Sequence, residues 1–164
     1  MNNRYLAALA LVVFVTVFGT VASYAQSVSG SIGNGTAAKG VATRATVVLS
    51  IPAGLHVNSN RPNGEYQIPT SVRATGNGVR IGAVAYPRGR NRKFSFSETA
   101  LNVYEGRATF GFNVTVPANY KGSSISVRVA VKYQACTNEV CYPPKTKDIT
   151  LTAKVRQPLP SADH

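Results

Sequence analysis

Apolar side chains stand at every second position along Ile125, Val127, Val129, Val131 and Tyr133. Neighbouring residues of an extended chain point to opposite faces, so this run buries one face and wets the other. The same period returns in Ala108, Phe110, Phe112, Val114 and Val116, interleaved with Thr109, Gly111, Asn113 and Thr115. It returns again in Val41, Ala45, Val47, Leu49 and Ile51, and in Ile149, Leu151, Ala153 and Val155. No stretch carries a convincing amphipathic helical pattern. One-sided strands must cover their apolar face with another layer, and without helices that layer is a second sheet.

Turn chemistry divides the rest of the chain. Pro52-Ala53-Gly54 stops the first strong strand, and Leu55–Asn58 is a short extended piece before the cluster Asn60-Arg61-Pro62-Asn63-Gly64. Ile68–Ala74 and Val79–Tyr86 read as strands, and the intervening Thr75-Gly76-Asn77-Gly78 predicts a hairpin. Pro117–Gly122 turns the chain into the strand that leads to the first cysteine. Six or seven short alternating segments separated by turns predict an all-β, immunoglobulin-like antiparallel β-sandwich.

The ends have a different composition. Arg4 followed by an apolar run from Leu6 to Phe18 and the small residues of Ser23-Tyr24-Ala25 predicts a signal peptide over 1–25, cut after Ala25. The competing reading is an uncleaved anchor. Residues 26–40, rich in Gly, Ser, Thr and Ala, read as a flexible lead-in. Residues 41–156 form the sandwich domain, and 157–164, with Pro158 and Pro160, read as a disordered tail. No segment after the first 25 residues could span a bilayer, so the expected location is periplasmic or secreted. Such a compartment is oxidising. The 164 residues carry 18 basic and 6 acidic side chains. A net charge of +12 suits either an acidic partner or a plainly solvated basic surface. Nucleic acid is not expected, because no helix or aromatic-rich strand gathers the cations.

Chemistry is confined to few residues. There is no Gly-rich phosphate loop, no carboxylate pair at a useful spacing and no defensible Ser-His-Asp set. His56 and His164 are the only histidines. A lone His56 reads as a hydrogen-bonded structural residue, and neither a metal site nor a cofactor is expected. The only cysteines, Cys136 and Cys141, sit at a turn between two alternating runs, close enough to pair. A ring this small restricts the unfolded chain modestly, by roughly 2 kcal/mol. Two readings stand side by side, a structural staple and a pair that cycles between dithiol and disulfide.

The block Tyr133-Gln134-Ala135-Cys136, four residues, then Cys141-Tyr142-Pro143-Pro144 resembles the active-site segment of the amino-terminal periplasmic domain of the disulfide reductase DsbD. Ile51–Ser59, Ile68-Pro69-Thr70 and Val103-Tyr104-Glu105-Gly106 resemble further motifs of that family in the same order. The resemblance implies an exported thiol–disulfide exchange domain that passes electrons between periplasmic thiol proteins. It assigns the intermolecular bond to Cys141 and the resolving role to Cys136, flanked by Tyr133, Gln134, Tyr142 and Pro143. Glu139 opposes thiolate formation, while Lys132 and Lys145 favour it.

In the family a loop with an aromatic tip covers the cysteines. The segment after the basic stretch Pro87–Lys93 is its nearest equivalent, with Phe96 ahead of Phe94 as the cap and ordinary core packing as the alternative for both. The expected partners are periplasmic thioredoxin-like or disulfide-bearing proteins. A separate membrane electron carrier joins them, since this sequence contains neither the carrier nor the thioredoxin-like domain that accompany the family domain. The competing function is a non-catalytic exported binding module with a structural disulfide.

Overall fold

The computed structural model describes residues 25–64 and 66–157. Of the expected signal peptide over 1–25, residues 1–24 lie outside the described residues, as do residues 158–164 of the expected tail over 157–164. Twelve strands are formed: β1 (Ser27–Ile32), β2 (Thr36–Ala38), β3 (Ala42–Ser50), β4 (His56–Asn58), β5 (Ser71–Gly76), β6 (Arg80–Ile81), β7 (Arg90–Arg92), β8 (Leu101–Tyr104), β9 (Arg107–Thr115), β10 (Ser124–Tyr133), β11 (Ala135–Cys136) and β12 (Lys145–Arg156). The described chain has no helix, and hence none long and apolar enough to cross a membrane.

One sheet has the order β1-β3-β9-β6 and a second β2-β12-β10-β5. Their alternating residues meet in one core: Ala45, Val47 and Leu49 of β3, Phe110, Phe112 and Val114 of β9, Ile125 to Tyr133 of β10, and Leu151 and Ala153 of β12. This is the immunoglobulin-like antiparallel sandwich that the sequence predicts, with one parallel pairing, β2 on β12. A third, smaller sheet, β11-β4-β8-β7, grows from one end of the sandwich. Its strands continue those of the main sheets. Gly106, at a φ of +66° that a side chain would resist, links β8 to β9. Ile51–Leu55 links β3 to β4, and Gln134 alone links β10 to β11.

Expectations and structure differ at several points, three of which shape the sheets. Residues 26–40 are not a loose lead-in, because β1 pairs along its whole length with β3. Gly30 lets β1 lie close, since a Cβ there would collide with the Thr46 carbonyl of neighbouring β3 and press on Leu151 of the opposite sheet. The turn at Asn77-Gly78 does not close a hairpin. β5 pairs with β10 and β6 with β9, so this link crosses between sheets. Turn residues set the local bend, whereas burial decides which strand each arm joins. The basic stretch is not all loop either, since β7 forms an edge strand on β8. Its three residues are exposed, as a short charged edge should be.

Candidate functional site

The two cysteines close a small antiparallel turn beyond β10. Cys136 and Cys141 face each other as a bridge and are joined by a disulfide. The turn between them is held from within. Thr137 N–H donates to the Val140 carbonyl at 2.8 Å, and Thr137 Oγ1 accepts from the N–H groups of Glu139 (3.2 Å) and Val140 (3.1 Å). A threonine hydroxyl that captures the next amides is a local alternative to a sheet ladder, and it shapes the ring without apolar support.

The sulfurs have unequal surroundings. Cys136 is 0% exposed, set in β11 against β4. Cys141 is exposed, as are Glu139, Val140, Tyr142 and Pro143. Gln134 ties this exposed arm down. Its side-chain oxygen accepts from Asn58 Nδ2 at 3.2 Å and from the Ile68 N–H at 3.4 Å, while its Nε2 donates to the Tyr142 carbonyl at 3.2 Å. Tyr142 N–H adds a bond to the Ala135 carbonyl at 2.8 Å. Of the flanking residues, Tyr133 is instead core. Burial raises its phenol above the ordinary tyrosine range, and its hydroxyl faces Gln26 Oε1 at 3.5 Å. Beside the disulfide lies a cavity of about 470 Å³, lined among others by Gln26, Leu55, Tyr133, Tyr142 and Pro143.

An aromatic stack reaches the same place. His56 of β4 is the register partner of Cys136. Phe94 lies on the His56 ring at a centroid distance of 3.9 Å and an angle of 12°. Phe96 lies on Phe94 at 5.4 Å and 9°. The two phenylalanines differ in kind. Phe94 is 6% exposed and packs with Leu101 and Val103, whereas Phe96 is 38% exposed. Ser95 between them donates to the Asn138 carbonyl at 2.9 Å, which fastens this segment to the cysteine turn. Arg92 Nε and Glu105 Oε1 form an ion pair at 3.5 Å.

His56 departs from the expected hydrogen-bonded structural histidine. It is 2% exposed, and its Nε2 is buried without a hydrogen-bond partner. Desolvation holds its pKa below the ordinary histidine value, opposed by nearby Glu105 and aided by Arg92. The sequence supplied the cysteines and the aromatic segment. It did not supply the roles of His56, Asn58, Ser95 or Gln26. Those depend on strand register, although His56 and Asn58 fall in the Ile51–Ser59 motif that carries part of the family resemblance.

The family model described as "Thiol:disulfide interchange protein DsbD, N-terminal" matches residues 20–153. Among solved structures, the reduced DsbD N-terminal domain of Neisseria meningitidis is similar, with 18% identity over 67% of this chain and 80% of that chain and a TM-score of 0.43. The complex between the DsbD and PilB N-terminal domains from the same organism gives 15% identity over 76% of this chain and 80% of that one, at 0.48. A family 123 glycoside hydrolase from Clostridium perfringens gives 12% identity over 80% of this chain and 27% of that one, at 0.41. No curated protein sequence matches the chain.

Proposed function

This chain belongs to the family of DsbD N-terminal domains, and on that premise we propose that it is an exported thiol–disulfide exchange domain acting through Cys136 and Cys141. The observation that carries the reading is the inequality of the two cysteines, one sealed in β11 and the other an exposed residue. A partner thiolate can approach only the exposed Cys141 Sγ. Attack there forms a mixed disulfide, breaks the Cys136–Cys141 bond and releases Cys136 as the leaving sulfur. In the other direction the Cys141 thiolate attacks the disulfide of a substrate protein, and Cys136 resolves the adduct. Electrons thereby pass between thiol proteins of the cell envelope, in the periplasm or outside the cell. The partners are thioredoxin-like or disulfide-bearing proteins, with a membrane electron carrier as a separate molecule. The N-terminal domain of PilB, which forms a complex with the neisserial domain, exemplifies the kind of protein that fits.

Phe96 caps the pair from the side, held over the turn by the Ser95 bond. Tyr142 and Pro143 border the cavity where a partner's chain would lie next to Cys141. The test exploits the asymmetry. Cys136→Ser leaves a mixed disulfide with no internal attacker, so it should trap an envelope partner as a band that vanishes on reduction. Cys141→Ser should trap far less. A pair that only braces the turn yields no specific adduct from either variant, and that result would leave the binding-module reading in its place.

A further inference from the structure

The exchange reading leaves one proton without a carrier. Cys136 is wholly buried. A thiol in such surroundings ionises reluctantly, because burial penalises the thiolate. Yet to resolve a mixed disulfide it must become one, and bulk water does not reach it. The exposed Glu139, Lys132 and Lys145 lie on the outer surface.

His56 is placed for this task. As the register partner of Cys136 it projects from the same face of the β4–β11 pair, with Cβ atoms of such partners about 5 Å apart. Phe94 fixes the plane of its ring, so the imidazole cannot swing to solvent. Its Nε2 is enclosed and bonded to nothing. A buried, unsatisfied nitrogen costs free energy in the disulfide state, and a thiol formed beside it on reduction would supply the missing partner. The charged groups that act on the ring are Glu105, following β8, and Arg92 on β7, which pull in opposite directions and pair with each other. Desolvation keeps the imidazole neutral at neutral pH, the form able to accept a proton.

We propose that His56 is the general base for Cys136 in the resolving step, an inference that rests on the exchange reading. With Cys141 joined to a partner sulfur, Nε2 takes the proton of the Cys136 thiol. The Cys136 thiolate attacks Cys141 Sγ, the internal disulfide forms and the bond from Cys141 to the partner breaks. The partner sulfur leaves with the electron pair and takes the proton from the imidazolium, directly or relayed through solvent, which restores neutral His56. The domain has lost two electrons, and the substrate disulfide has become a dithiol.

The probe is 4,4′-dithiodipyridine added to the reduced protein. Attack by Cys141 releases one thiopyridone and attack by Cys136 releases a second, so the two steps are read separately by absorbance. His56→Phe retains a flat ring for the Phe94 stack. It should slow the second release roughly 100-fold at neutral pH, the usual scale of general-base catalysis, and leave the first unchanged. The deficit should narrow as pH rises past the ordinary thiol range, at about 8.5, because hydroxide then ionises a growing share even of a buried thiol. Should the phenylalanine variant not fold, His56→Gln, which is polar but not basic, is read in the same way. A second release that keeps its wild-type rate, or one slowed by the same factor at every pH, overturns the proposal. Failure of wild-type protein to release the second equivalent overturns the exchange reading itself.

Discussion

Single residues at this site each settle a question that their type alone left open. Gln134 is the clearest: it is the sole link between β10 and β11, and its amide joins two separate segments, at Asn58 and Ile68, to the Tyr142 arm of the cysteine turn. His56 carries a stability consequence apart from any catalysis. Its pKa is depressed in the fold and ordinary, near 6.5, in the unfolded chain. The unfolded state therefore binds the proton first as pH falls. Its contribution to stability is complete above about pH 6.5 and declines as pH drops from there toward the folded-state value. Urea unfolding at neutral and mildly acidic pH should show this decline, and His56→Phe should flatten that part of the profile. A slope unaltered by the substitution would assign the acid sensitivity to other groups.

At the scale of elements, strands with a regular alternation of buried and exposed residues were legible in the sequence, and those held by backbone pairing were not. β3, β9 and β10 each place apolar residues on one face over nine or ten residues. β1 offers only half-buried Val28 and buried Ile32. Its place comes from six paired positions along β3 and from the close approach at Gly30, neither of which a hydropathy pattern records. The first four residues of β12 are all exposed and charged or polar, so their pairing with β10 was equally silent. The cysteine turn was legible from its two sulfurs, but the histidine opposite it becomes visible only once β4 is set against β11. The segment from Lys93 to Glu98 gives the element-scale test. Phe94→Ala empties a small buried cluster and should cost about 3 kcal/mol in denaturant unfolding. Phe96→Ala should change stability little and speed reduction of the disulfide by dithiothreitol. Equal stability losses with an unchanged reduction rate would make both residues ordinary packing.

For the molecule as a whole, charge is arranged to limit repulsion. Across the β10–β12 ladder, Arg128 faces Thr150, Lys132 faces Thr146 and Lys154 faces Ser124, so no two cations stand opposite each other. Among the described residues the Arg92–Glu105 contact is the one ion pair. A chain with a net charge of +12 therefore remains under self-repulsion. Its Tm should rise as sodium chloride is increased from about 0.01 M to about 0.15 M, where screening shortens to about 8 Å. A falling Tm would mean that attractive pairs dominate. The path of β1 has a further consequence, for attachment. The chain enters the sandwich at Ala25 and Gln26, on the wall of the cavity that Tyr142 and Pro143 also line. It leaves at the other end of β12, eleven residues beyond Lys145 and, at ~3.3 Å per residue, roughly 35 Å away. Ala25 and Gln26 therefore share a cavity wall with Tyr142 and Pro143, the residues that follow Cys141. A fusion after Arg156 hangs from the opposite end of β12 and leaves that cavity clear. The two ends of the described chain are thus unequal handles, one beside the cysteine turn and the other at the far end of β12.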